Sequence, residues 1–324
     1  MEFNPGIHTK EFLLKNPNIA LRLIQTSANV ANESFFQDFE LISMKDTIAH
    51  ELAISQPDWA TTEAAQNFDV LSLTCPESNT VAHLLAFHQP QWTTTKATQS
   101  FDVLSLRDGD NMTVAHELAR KEMPINTAKQ YREKGLGWQY TEASRNKDVL
   151  LLHCKSAGSV AQVIACKAEY SEKYKPLLSL IKSGAAYATE KESSKDFRPS
   201  FSVKDIEFLL QHSMEAIQDE QNEVIQLRMV IAIYSTFRNL EFDINAVVMR
   251  EFMSGVCSKI EETLEKAIEE KPQLFTDPSI LNGPNCAPGA AMINHHIALI
   301  NLQQTFTEMP PAPVEDSQPM QNIY

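Results

Sequence analysis

Three histidines in the first half of the chain carry the side chains best suited to coordinate a metal or move a proton. His50, His83 and His116 stand 33 residues apart, each inside nearly the same heptad. The heptads are Thr47-Ile-Ala-His-Glu-Leu-Ala53, Thr80-Val-Ala-His-Leu-Leu-Ala86 and Thr113-Val-Ala-His-Glu-Leu-Ala119. A metal site needs its ligands to converge on one point, whereas each of these histidines sits in a different copy, one stacking step from the next. A structural hydrogen-bonding role explains both the repetition and the spacing, so no metal and no cofactor is expected. The other candidate group is Cys286, in Asn285-Cys-Ala-Pro-Gly289. A helix N-terminus there would lower the thiol pKa. His295 and His296 follow on the same predicted helix, and nine residues of helix is about 13 Å, too far for Cys286 to pair with His295. No phosphate-binding glycine loop, HExxH or GxSxG pattern occurs.

The elements that position these groups form a repeat. Phe68-Asp-Val-Leu-Ser-Leu73 returns as Phe101-Asp-Val-Leu-Ser-Leu106, and Trp59 and Trp92 share the 33-residue period. A fourth, divergent copy holds Trp138, Asp148-Val-Leu-Leu-Leu152 and Ser159-Val-Ala-Gln-Val-Ile-Ala165, displaced by 46 residues. The 13 extra residues fall in an insertion, 120–137. Thr47, Thr80 and Thr113 read as N-caps of short alanine-rich helices. Pro57 and Pro90 read as stop signals after those helices. The tryptophans read as shared packing between copies. One copy cannot bury its own apolar face, so stacking has to build the core.

The period and the Thr-x-x-His-x-Leu-Ala heptad resemble ankyrin repeats, and Arg107-Asp-Gly-Asp-Asn-Met-Thr113 is similar to the hairpin preceding that motif. The resemblance implies that Thr47, Thr80 and Thr113 cap an inner helix and that His50, His83 and His116 tie neighbouring loops. It implies an array over 35–165 that binds a protein partner through Glu51, Leu84 and Glu117 and through loops 74–79 and 107–111, with Arg107, Asp108 and Asp110. Two departures leave an alternative open. Val or Ile replaces the motif proline, and a polar Trp-Ala-Thr-Thr stretch stands where an outer helix is expected. A solenoid similar to the leucine-rich repeat variant, alternating helix and 3₁₀ helix, would place Asp-Val-Leu-Ser-Leu on a helix.

From Cys166 the period stops and longer helical patterns are predicted: 169–182 with Pro176 inside it, one opened by a Ser202–Asp205 capping box, 224–240, 244–269 capped by Asp243 and ended by Pro272, and a last helix to about 307 after the loop 282–289. The run 191–200 reads as a linker. The expected architecture is all-α: an N-terminal helical cap (1–34), the array (35–165), an α-helical bundle (166–308) and a disordered tail (309–324).

Composition narrows the function classes. Net charge is −14; split after Ala165, the halves hold 14 basic against 19 acidic and 14 against 23 residues. Neither offers the basic field that nucleic acid or an anionic membrane requires. No apolar stretch reaches the ~18 residues of a membrane span. Five cysteines without CxxC spacing suit a reducing compartment, and the first residues lack a secretory leader, so the expected location is the cytoplasm or export without a classical signal. The insertion stands apart as a basic island, with Lys129, Arg132 and Lys134 among its cations, and is a further candidate for partner capture. Divergent ankyrin-like repeats joined to a helical domain also resemble translocated effectors of intracellular bacteria. The expected function is a protein-interaction scaffold. The rival reading is an enzyme whose second half modifies the captured partner with Cys286 as nucleophile, and a third is a purely structural or regulatory subunit.

Overall fold

The computed structural model describes residues 40–41, 46–75, 77–120, 138, 141–167, 173–188, 199, 201–241 and 247–308. These are mostly helical, with strands only in two-residue antiparallel pairs.

A copy of the repeat is built from short pieces. After the pair β1 (Glu40–Leu41) and β2 (Asp46–Thr47) comes α1, Ile48–Ser55. Two 3₁₀ turns follow, Pro57–Thr61 and Ala64–Gln66, then the one-turn helix α2, Phe68–Leu71. The next copy repeats the order with α3 (Val81–His88), Pro90–Thr94, Ala97–Gln99 and α4 (Phe101–Leu104). Helix α5 (Val114–Arg120) opens the third copy. Ala143–Arg145, α6 (Lys147–Leu150), the pair β3 (His153–Cys154) and β4 (Gly158–Ser159), and α7 (Val160–Lys167) complete the series. Pro57 and Pro90 do more than stop a helix: each occupies the start of a 3₁₀ turn, where the fixed φ helps and no amide hydrogen is needed. The polar stretch after each tryptophan is 3₁₀, and Phe-Asp-Val-Leu is α-helical in both copies.

The longer helices of the copies, α1, α3, α5 and α7, pack side by side in chain order, and the one-turn helices α2, α4 and α6 do the same. Alanines at the contact (Ala49, Ala53, Ala82, Ala86, Ala115) are fully buried and let the backbones approach closely.

Helix α8 (Tyr174–Lys182) packs on both α7 and α6, so the array's last copy is covered by the start of the second half. It begins later than the pattern predicted and carries Pro176 in its first turn, where the missing N–H costs nothing. Beyond it lie α9 (Val203–Asp219), α10 (Glu223–Glu241), α11 (Val247–Glu270), a 3₁₀ turn Pro272–Thr276, α12 (Pro278–Leu281) and α13 (Ala287–Glu308). Helix α10 lies at the centre, touching α8, α9, α11, α12 and α13. The capping box at Ser202 and Asp205 is complete in both directions. The predicted loop 282–289 is shorter than expected, because α13 starts at Ala287 and takes Pro288 into its first turn. The buried side chains of both halves form one contiguous core.

The segments 1–34, 121–137, 191–198 and 309–324 lie outside the described residues, and so do Asp243, Lys129, Arg132 and Lys134.

Candidate functional site

The repeated polar side chains make a ladder of hydrogen bonds that crosses from copy to copy. Thr80 sits in extended backbone before α3; its hydroxyl accepts the His83 amide at 3.3 Å and meets His83 Nδ1 at 2.7 Å. The other ring nitrogen, Nε2, lies 3.2 Å from the carbonyl of Met112, in the turn of the next copy. Thr113 and His116 repeat the geometry: 2.7 Å between Oγ1 and Nδ1, then 3.0 Å from Nε2 to the Gly158 carbonyl. A carbonyl only accepts, so Nε2 carries the proton and Nδ1 accepts from the threonine hydroxyl. That tautomer is neutral. Burial pushes the His116 pKa down to about 4, against the bond to Gly158; the nearby His153 and Arg107 push the same way. Burial also lowers His83, partly offset by Asp108. His50 is buried on α1, and Thr47 ends β2. In the last copy Gln162 replaces the histidine, where α8 rather than another repeat follows.

Two of the three tryptophans also reach back one copy. Trp92 Nε1 donates to the Ala65 carbonyl at 2.9 Å and Trp138 Nε1 to the equivalent Thr98 carbonyl at 3.1 Å. Trp59 is equally buried, and its Nε1 meets no acceptor among the described residues. Three residues after each tryptophan, Thr62, Thr95 and Thr141 close the 3₁₀ turn by donating to its carbonyl at 2.7, 2.9 and 2.7 Å. Buried Gln89 donates to the carbonyls of Ala53 and Ile54, which end α1. The repeated Gln-Pro-x-Trp at Gln56–Trp59 and Gln89–Trp92 is the sequence signal that could have marked this residue.

The residues proposed for partner contact fall into two groups. Glu51, Leu84 and Glu117 are half-buried on the inner helices; Leu84 packs against the core and Glu117 lies 3.9 Å from Arg120. Arg107 joins two turns, donating from Nη1 to the carbonyls of Asn111 and His153 at 2.8 and 3.0 Å. Asp108 holds its own turn by accepting the amides of Asp110 and Met112. Asp110, like Glu77 in the preceding turn, is exposed. Adjacent turns touch: a β-carbon placed on Gly109 would come within 2.9 Å of Ser78 Cβ.

Cys286 does not have the surroundings of a nucleophile. It is buried just ahead of α13, and burial pushes its thiol up to about 11, opposite to the lowering that the helix start alone suggests. Its Sγ faces the Gly184 carbonyl at 3.6 Å. Ser235 from α10 holds the same helix start, donating to the Cys286 carbonyl and accepting the Gly289 amide. Asn239 and Asn285 bind carbonyls of the neighbouring 184–188 loop, at Tyr187 and Ala186. Gly283 is pressed so closely that a β-carbon would lie 2.3 Å from the Gly184 carbonyl oxygen. The arrangement fixes a loop to a helix end and leaves the sulfur protonated. His296 points to Glu265 and Glu269 of α11 at 3.6 and 3.9 Å, and His212 to Glu215 at 2.8 Å.

Among the described residues no group of three or more His, Cys, Asp or Glu side chains converges to hold a metal, and no helix is long and apolar enough to cross a membrane. No family model, curated protein or solved structure matches the chain.

Proposed function

We propose that the four copies form a helical repeat solenoid of the ankyrin-like kind that works as a protein-interaction scaffold, with the second half a helical bundle that closes its end. One observation carries this reading. The buried positions are nearly constant from copy to copy, while the exposed positions of the turns between copies change. Threonine, histidine and tryptophan recur inside; outside, Thr74 gives way to Arg107 and Glu77 to Asp110. A constant interior with a variable edge is what a binding array needs, since stacking fixes the frame and the edge sets specificity. The absence of a polarised nucleophile at Cys286 favours binding over catalysis by the second half. The resemblance to effectors of intracellular bacteria points to a host protein as partner and to the host cytoplasm as the place of action.

The test uses the full chain as bait in a eukaryotic lysate, beside the variant Glu77→Lys/Asp110→Lys, which alters only exposed turn tips. A saturable one-to-one partner, bound at least about ten-fold more weakly by the variant, is the expected result. Finding no saturable partner, or equal binding by both proteins, removes the reading.

A further inference from the structure

Two rows of exposed apolar side chains run along the array in the same register. Phe68 and Phe101, the first residues of α2 and α4, are each 45% exposed. Ile54 and Phe87, at the ends of α1 and α3, are 45% and 52% exposed. In the next copy the corresponding positions hold Lys147 and Arg120. Helix α6 still packs on α4 with Lys147 in place, so stacking does not require an aromatic ring there. The two phenylalanines therefore leave apolar area in water that only an external contact would recover.

The residue that follows each phenylalanine is a carboxylate, also exposed on the first turn of its helix. Asp69, Asp102 and Asp148 occupy the same place in three copies, and all are exposed. Among the described residues no cation lies within ion-pair distance of Asp69 or Asp102, while Asp148 has only Lys147, at 3.9 Å. An exposed ring and an exposed carboxylate on the same helix turn offer a long cationic side chain two attractions: the ring face and the full charge. The chain uses ring-face contacts elsewhere, with Lys204 at 5.6 Å from the Phe208 ring and Arg238 at 5.4 Å from Tyr234.

We propose that the face formed by Phe68, Asp69, Phe101 and Asp102 binds a basic, extended segment of a partner protein. Packed helices lie about 8–10 Å apart, and a chain extended as polyproline II advances ~3.1 Å per residue with three residues per turn, so side chains three apart share one face. Every third residue of such a segment thus meets the next Phe–Asp pair. Arginine or lysine at that spacing, with an apolar neighbour to cover the ring, fits the face. Nucleic acid and anionic lipid are repelled by the same carboxylates. The proposal rests on the scaffold reading and names the chemistry of its partner.

The test measures fluorescence anisotropy of labelled twelve-residue peptides with the full-length protein. The probes are Arg-Leu-Ser, Glu-Leu-Ser and Arg-Ser-Ser, each repeated four times. Arg-Leu-Ser should bind at least about ten-fold tighter than either control. Phe68→Ser/Phe101→Ser should lose about ten-fold in affinity, and Asp69→Asn/Asp102→Asn a similar amount together with most of the salt dependence. Both variants should keep the wild-type thermal midpoint, because the altered side chains are exposed. Equal binding by the phenylalanine variant, equal binding of the controls, or a lowered midpoint overturns the proposal. So does a wild-type dimer in sedimentation that the phenylalanine variant dissolves, which would give the face to a second copy. A lysate partner lost with Glu77→Lys/Asp110→Lys but retained by Phe68→Ser/Phe101→Ser would leave the scaffold standing and remove this face alone.

Discussion

The two halves of the molecule bury polar groups in different ways. In the array, helices of seven or eight and of four residues are too short to be stable alone, and neighbouring copies are tied by the same bonds: histidine to the next turn, tryptophan to the previous one. In the second half, helices of 17 to 24 residues meet along apolar faces, and buried polar contacts gather where the 184–188 loop meets the start of α13. Short elements need a polar connection at every step. Long ones need it only where the chain turns.

The sharpest way to break this comparison is to remove one rung. Trp92 fills the space between two copies and carries a cross-copy bond. Trp92→Ala should cost about 3–5 kcal/mol, the usual range for a fully buried aromatic. Because both halves share one core, urea unfolding should shift as a single transition. Separate transitions for array and second half would show that α8 does not couple them.

Much of the array was legible in the sequence, because a strict period exposes which side chains do the same job in every copy. The second half's helices were legible from apolar spacing, within a few residues at their ends. What spacing could not show is direction. Phe68 and Phe101 lie inside the motif Phe-Asp-Val-Leu-Ser-Leu that marks the repeat, yet they face water while Val70 and Leu71 face the core. A one-turn helix has too few residues to reveal its buried side. The surroundings of Cys286 were hidden for the opposite reason: its place before a helix was readable, but the Gly184 carbonyl and Ser235 that surround it come from 102 and 51 residues away.

Acid should weaken the array in particular. His116 is neutral and buried when folded, with its pKa at about 4, whereas in the unfolded chain it takes up a proton near the ordinary 6.5. Between those values the unfolded state binds more protons, so stability is complete above pH 6.5 and falls as pH drops toward 4. The loss from this group is about 3 kcal/mol at most, with His83 contributing in the same direction. His116→Gln, which installs the residue that the fourth copy carries at this position, should lower stability at pH 7 and flatten its fall between pH 6.5 and 4. Equal slopes for the two proteins, from urea midpoints across that range, would remove His116 as the source.

The smallest expected effect tests whether the turns merely connect the rungs or contribute strain of their own. Ser78 has φ of 64°, in the left-handed region, and so has Asn111 at the same place in the next copy. Asparagine tolerates that conformation better than serine, because its short amide can bond locally. Ser78 is exposed, so a larger side chain has room in water, and its β-carbon is retained against Gly109. The left-handed penalty for an ordinary residue is about 1–2 kcal/mol, of which asparagine relieves only part. Ser78→Asn should therefore stabilise the protein by about 0.5 kcal/mol, seen as a small rise in the urea midpoint with no change in slope. Asn111→Ser should lower the midpoint by a similar amount, since it makes the reverse exchange in an equivalent turn. If both substitutions leave the midpoint where it was, the turns carry no strain and the array's stability lies entirely in the histidine and tryptophan rungs.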